Sequence, residues 1–418
     1  MKILHLAPYS PVPPIFGGAL RVYHILKGLS RHHDVTFMTI GTDEDRKLLN
    51  SHFGETVRKI HVIPSVGTPF MRPWKLVTGA ILHGRSMMLQ NAWDNNVKDA
   101  LERLLKREKF DIQLAEFPGM AQFDAPSDTV TILDEHNVEF SNLERMYKGA
   151  HFPPRRLLYY REFRKLQHDE LEVCKRVDSI FATSENDARL LDQMLPNKPK
   201  YVIPNGVDTS YFVPSDMSLE PYSMVFTGTM DYFPNHDAMK YFIDSIFPIV
   251  KKHFPQAKIY VVGKNPDLSL KRRASRDIIV TGYVSDVRPY ALKASVYVVP
   301  LRMGSGTRLK ILEALAMKKA VVTTTIGCEG IDVEDGVNVD VADSPSSFAE
   351  RIIDLFNNRK RATELGERGY QLVRERYDWK VVENQMEAAI SAVVERRTSS
   401  ALSVTNAPAR GGENYNDA

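Results

Sequence analysis

The stretch VYVVPLRMGSGTRLKILEALA, Val296 to Ala316, reads as a strand, a glycine-bearing turn and a helix in immediate succession. A helix N-terminus presents unpaired N–H groups and the positive end of the helix dipole. Arg308 and Lys310 add two cations there, which makes a site for an anion such as a diphosphate. Glu313 follows Lys310 at i+3 and shares its helix face, an arrangement suited to holding a charged linker beside a polyol. The plainer reading of the same residues is a surface helix with one solvated ion pair.

Outward from this unit the chain keeps the same alternation. In the N-terminal half, strands are predicted at KILHLA, DVTFMTI, VRKIHVI, DIQLAE, TVTILD and SIFAT, with helices over Ala19–Ser30 and near Asp43–His52. Ala19, Val22, Tyr23, Leu26 and Leu29 give the first helix one apolar stripe. In the C-terminal half, strands are predicted at SMVFTG, AKIYVVG, DIIVTG, VYVVP and AVVTT, with helices after Pro234, after Ser285, from Thr307 and after Pro345. Such alternation implies α/β domains with parallel sheets covered on both faces. The 418 residues are too many for one ordinary core. Two doubly wound domains are therefore expected, 1–200 and 201–380, meeting at the turn IPNGVD near Pro204, Asn205 and Gly206. Ligands of open α/β sheets bind beyond the carboxyl ends of the strands, so two facing sheets would enclose a cleft. A helix over Val381–Arg396 is expected to pack back on the first domain, and the polar tail 397–418 is expected to be disordered.

Composition narrows the classes. A 43% hydrophobic fraction supports full globular folding, and a net charge of +3 argues against a dedicated nucleic-acid binder. Cys174 and Cys328 have no metal-ligand spacing, and free thiols imply a reducing, cytoplasmic setting. Pro8, Pro11, Pro13 and Pro14 break the first apolar run before a secretory core could form. No run reaches about 18 apolar residues, so no membrane span is expected. Peripheral contact at the inner face of the membrane stays open. Arg72, Lys75 and Arg85 among Phe70, Trp74 and Leu82 would suit a lipid surface or a lipid-linked acceptor, and equally an ordinary packed insertion. The basic stretch Arg155–Arg176 reads as one long helix with a solvated face.

Taken in order, the Gly17-Gly18 turn, DEHNVEF at Asp134–Phe140, TSENDARLL at Thr183–Leu191, IPNGVD, FTGTM at Phe226–Met230, VTGYVSDV at Val280–Val287 and the opening motif resemble the retaining, nucleotide-sugar-dependent glycosyltransferases of family four. The resemblance covers the chain to about residue 396 and implies the GT-B fold of two Rossmann-like domains around a central cleft. It assigns Glu313 to the ribose hydroxyls of a nucleoside diphosphate sugar, and Tyr283 and Val284 to the nucleobase. Gly17, Gly18, Gly228, Gly306 and Thr307 fall at the donor diphosphate and sugar. In relatives a histidine near His136 contacts the transferred sugar; a structural histidine is the competing reading. Asn137 and Glu139 are weaker candidates, and Arg21 would support the anion or solvate the surface.

Two departures from the family pattern stand out. Ser305 occupies the first position of the Glu-x7-Glu pair, leaving Glu313 alone. The segment GTMDYFPNHDAMK carries no cation before Lys240, where many members have an Arg and a Lys. Arg302, Arg308 and Lys310 are the expected substitutes as anion clamp. The implied reaction is metal-independent, cofactor-free transfer of a hexose-type sugar to a hydroxyl, serving envelope or exopolysaccharide synthesis. A non-catalytic nucleotide-sugar-binding subunit is the alternative, and an epimerase a more distant one.

Overall fold

The computed structural model describes residues 1–64, 84–150, 152–304 and 306–405, the last six by backbone alone. The first sheet has strand order β3-β2-β1-β4-β5-β6-β7, all parallel. Its strands are β1 (Lys2–Ala7), β2 (Asp34–Gly41), β3 (Lys59–Pro64), β4 (Ile112–Glu116), β5 (Val130–Glu135), β6 (Ser179–Ala182) and β7 (Lys200–Val202). The helices between them are α1 (Gly17–His32), α2 (Asp43–Phe53), α3 (Met87–Ala92), α4 (Asn95–Arg107), α5 (Phe117–Ala121), α6 (Glu139–Gly149), α7 (Pro153–Arg176) and α8 (Glu185–Met194).

The second sheet has order β10-β9-β8-β11-β12-β13, again parallel. It comprises β8 (Glu220–Thr227), β9 (Lys258–Val262), β10 (Ile278–Gly282), β11 (Ala294–Val299), β12 (Val321–Thr323) and β13 (Asp340–Val341). Around it lie α9 (Phe233–Tyr241), which runs through a π-turn into α10 (Phe247–His253), then α11 (Leu268–Arg273), α12 (Arg288–Lys293), α13 (Leu309–Ala316), α14 (Pro345–Asn357) and α15 (Arg359–Arg376). The two parallel sheets are those that the strand–helix alternation requires. The short strands β7 and β13 escape the sequence reading because Lys200–Val202 and Asp340–Val341 carry no apolar run, whereas the equally short β12 lies in AVVTT.

Helix α1 shows how the pattern places the cleft. Ala19, Val22, Leu26 and Leu29 are fully buried on β1 and β2, each of the larger ones contributing about 1.5–3 kcal/mol. That burial fixes the helix N-terminus, Gly17, at the carboxyl end of β1, where the lobes face each other.

The chain crosses between lobes twice. Val207 donates its N–H to Tyr377 O at 2.7 Å and bridges Asp378, bringing the outgoing and returning strands together. Trp379 then stacks on His24 at 4.4 Å and closes over Gly206, where a Cβ would lie 2.6 Å from its ring. The final helix, α16 (Trp379–Thr405), begins there. Its Val382, Met386, Ala389, Ile390 and Val393 join the core of the first lobe, and His33 meets Glu387 at 2.7 Å. The helix is longer than the sequence suggests, passing Arg396 to end at Thr405; residues 406–418 lie outside the described residues. No helix among the described residues is long and apolar enough to cross a membrane.

Candidate active site

Between the lobes lies a cavity of about 370 Å³. Ile15, Phe16, Gly17 and Leu20 line it from the first lobe, and Gly228, Asn235, Thr307, Arg308, Lys310 and Glu313 from the second. Helix α13 forms its floor. The helix starts at Leu309, two residues later than expected, with Arg308 at the cap position and its guanidinium donating to Gly306 O. Ile311, Leu312, Ala314 and Leu315 are buried beneath, which turns Lys310 and Glu313 to the cavity side.

Lys310 and Glu313 share this face without forming a direct ion pair. Lys310 Nζ instead donates to Asn235 Oδ1 at 2.8 Å and sits 4.0 Å over the Phe226 ring. Burial lowers its pKa to about 7, and the nearby Arg308 charge acts in the same direction against the pull of Glu313. Burial raises the Glu313 carboxyl to about 7, opposed by Lys310. Glu313 accepts no hydrogen bond from a described side chain, leaving its oxygens available to a hydroxyl-bearing ligand. Burial also lowers the Arg308 pKa.

Glycine is needed at this floor for steric reasons. Gly228, at φ +151°, leaves β8 so close to α9 and α13 that a Cβ would lie 2.8 Å from both Lys310 Nζ and Asn235 Nδ2. Gly306, at φ +74°, would overlap Asn137 Oδ1 of the opposite lobe if it bore a Cβ. Gly17 faces Leu309, its ideal Cβ position 3.5 Å from Cδ1. Gly18 is constrained instead by the Tyr9 hydroxyl, which a Cβ would overlap.

Several expected residues lie elsewhere. Arg302 turns away to a bidentate pair with Asp237 at 2.7 and 3.0 Å and stacks over Tyr241, so it does not line the cavity. Arg21 is neither a surface group nor an anion ligand. It is 1% exposed and holds Asp134 through Nε at 2.7 Å and Nη2 at 2.6 Å. Tyr283 stands exposed after β10, and Val284 packs on the second lobe's core; neither lines the cavity. Ser305 and most of the basic-aromatic segment, 65–83, lie outside the described residues.

His136 sits just behind the first-lobe wall. Its Nε2 meets Glu116 Oε2 at 2.6 Å and Asp134 Oδ2 at 3.4 Å, and its ring lies 3.8 Å from that of Phe117. Phe117 is held at φ +66°, a conformation costly for an aromatic residue. Burial works against the imidazolium, but hydrogen bonds to Asp134 and Glu116 outweigh it and raise the pKa. His5 reaches the other Glu116 oxygen at 2.5 Å. The donor atoms of Glu116, Asp134 and His136 lie within 4.8 Å of one another, close enough to close on a cation. The Arg21 guanidinium already takes up both Asp134 oxygens, and the two imidazoles take those of Glu116. The cluster is thus electrostatically satisfied from within.

Two residues that carry no motif of their own complete the site. Asn235 anchors Lys310 and donates to Thr229 O at 2.9 Å. Arg145 of α6 spans the lobes, donating to Glu329 Oε2 at 2.8 Å and to Gly304 O at 3.3 Å. The Asn235–Lys310 contact and the two of Arg145 join residues far apart in sequence, which no local pattern signals.

The description "Glycosyltransferase Family 4" matches residues 16–211, and "Glycosyl transferases group 1" matches residues 221–358. A Klebsiella pneumoniae protein described as an uncharacterized 44.6 kDa protein in the cps region is 19% identical over 409 residues, covering 91% of this chain and 97% of that protein. Among solved structures, Thermosynechococcus elongatus sucrose-phosphate synthase superposes with TM-score 0.68 at 13% identity, over 95% of this chain and 100% of that one. Anabaena HepE in complex with UDP superposes with TM-score 0.69 at 14% identity, over 94% and 100%. With matching sequence descriptions on both lobes and two parallel-sheet domains facing one cleft, the chain belongs to the family-four type of glycosyltransferase, built on the GT-B fold.

Proposed function

We propose that the protein transfers a sugar from a nucleoside diphosphate sugar to a hydroxyl acceptor with retention of configuration, without metal or cofactor, in the synthesis of a surface polysaccharide or glycolipid. The observation carrying this reading is the Lys310–Glu313 pair at the start of α13, opening on the interlobe cavity opposite Gly17. In this reading Lys310, Arg308 and the helix N-terminus take the diphosphate, while Glu313 accepts from the ribose hydroxyls. Thr307 and Gly306 adjoin the transferred sugar, with His136 behind them.

In the transition state the ring gains positive charge and the departing diphosphate gains negative charge. Fixed cations and helix N–H groups lining the cavity stabilise the latter without reorganising. The protein's own task is positional, and no side chain is assigned as nucleophile. The cavity lining supports Lys310 and Arg308 as the clamp that replaces the family's missing cations, with Arg302 excluded by its pairing to Asp237.

HepE was crystallised with UDP-glucose, and the Klebsiella relative lies in a cps region, so a uridine donor and a lipid-linked saccharide acceptor at the cytoplasmic membrane face are the chemistry we assign. Ser305 in place of a carboxylate favours one competing reading, a donor-binding subunit without turnover. Incubation with a panel of nucleoside diphosphate sugars and no acceptor separates the two. A transferase slowly releases nucleoside diphosphate and free sugar, whose first-formed anomer by NMR reports retention; complete absence of hydrolysis despite binding supports the subunit.

A further inference from the structure

The exposed apolar side chains of the first lobe concentrate where α6 turns into α7. Phe152 is 65% exposed, Leu157 60% and Leu158 47%, with Met146 and Tyr160 beside them. All described residues from 152 to 158 are exposed, so the first turns of α7 project into solvent. Leucine and phenylalanine in such a position leave about half or more of their surface uncovered by this chain, and their clustering marks a surface that meets something else.

Charge indicates what that is. Among the described residues from 145 to 164, every exposed charged side chain is a cation; Arg145 pairs with Glu329 and Lys148 with Glu144 at 2.7 Å, whereas Arg155, Arg156, Arg161 and Arg164 form no ion pair among the described residues. The one acidic residue in that span, Glu162, is buried and accepts the Met87 N–H, so it does not offset them at the surface. Arg155 and Arg156 immediately precede Leu157 and Leu158. Apolar side chains interleaved with these four arginines fit the boundary of an anionic bilayer, where the former enter the acyl edge and the latter the headgroups.

The position of the hairpin relative to the cleft gives the surface a purpose. Arg145, on the same hairpin, reaches Gly304 O and Glu329 across the cleft mouth. A Cβ at Gly304 would lie 3.7 Å from Pro234 Cβ, and next to Pro234 stand Tyr232 and Phe233, both more than half exposed. Ile15 and Phe16 expose further apolar surface on the cavity's opposite rim. The hairpin thus reaches the cleft mouth through Arg145, and apolar side chains stand exposed at its tip, beside Pro234 and on the cavity's first-lobe rim.

We propose that the α6–α7 hairpin, through Phe152, Leu157, Leu158 and the arginines beside them, docks the protein on an anionic phospholipid surface and sets the cleft mouth against it. The use of that docking, to present a lipid-linked acceptor, rests on the transferase reading; the docking itself does not.

The test is flotation of the full-length protein with vesicles of phosphatidylcholine containing about 30% phosphatidylglycerol, against pure phosphatidylcholine. Binding is expected to the anionic vesicles only, and to be lost between about 0.05 and 0.5 M salt as the Debye length shrinks. Arg155→Glu/Arg156→Glu should lower the partition coefficient at least about twentyfold. Leu157→Ser/Leu158→Ser should lower it by a comparable factor. Both variants should keep the wild-type melting temperature, since the four side chains are exposed. Failure of the wild type to float, equal flotation on neutral vesicles, or wild-type flotation by both variants overturns the proposal. So does a wild-type dimer that the variants dissociate, which would make the hairpin a contact between two copies. UDP-glucose binding without vesicles reports the transferase reading separately.

Discussion

The pH dependence of donor binding follows from the environment of α13. Burial raises the pKa of Glu313 and lowers that of Lys310, each to about 7. A bound diphosphate favours the charged amine, and ribose hydroxyls favour the charged carboxylate. Below pH 7 Glu313 takes up a proton that the ligand must displace; above pH 7 Lys310 lacks a proton that the ligand must recruit. Affinity should therefore peak near neutrality and fall on both sides, by at most about tenfold per pH unit on each limb. At pH 5.5 or 8.5 the loss is then up to about 30-fold, or about 2 kcal/mol. Isothermal titration with UDP-glucose reads this directly, because its diphosphodiester carries no proton that titrates in the range. Glu313→Gln should flatten the acid limb and Lys310→Met the alkaline limb, each lowering affinity at pH 7. An affinity constant within about twofold from pH 5.5 to 8.5, in a wild type that binds, would refute the assignment of these two groups to the ligand.

Other consequences are equally specific. Gly306→Ala places a Cβ against Asn137 at a left-handed φ, so it should cost about 1–3 kcal/mol in urea unfolding, and Asn137→Ala should restore only part of that. Arg21→Met strips Asp134 of its guanidinium in a fully buried site and should destabilise the first lobe by about 3–5 kcal/mol, measured by urea denaturation. Arg145→Ala removes an exposed interlobe ion pair and should change stability by less than about 1 kcal/mol, while small-angle scattering records a larger radius of gyration as the lobes part. Trp379→Ala empties the ring's place over Gly206 and His24, costing about 3–5 kcal/mol and raising hydrogen exchange in α16.

The legible part of this protein was the part with a period. Strands such as KILHLA and IYVV declare themselves as short apolar runs, buried without interruption in a parallel sheet covered on both faces, and the stripe on α1 declares itself by its helical period. The same stripe hides Arg21 and His24, whose burial depends on Asp134 and Trp379, more than a hundred residues away. Within the site, the glycine turn, Lys310 and Glu313 were readable because a helix start gives them a local meaning. Arg302 looked equivalent to Arg308 in sequence, yet Asp237 on α9 takes it away from the cavity. Asn235 was invisible for the complementary reason. An asparagine after a proline reads as a helix-start residue, and only the fold brings Lys310 to it.

The central claim is that one nucleoside diphosphate sugar sits between Gly17 and the start of α13. A crystal soaked with UDP-glucose tests it most directly. The account predicts density for the diphosphate beside Lys310 and Arg308, with the ribose hydroxyls on Glu313. A nucleotide bound elsewhere, or an empty cleft under conditions that saturate binding in solution, would contradict it.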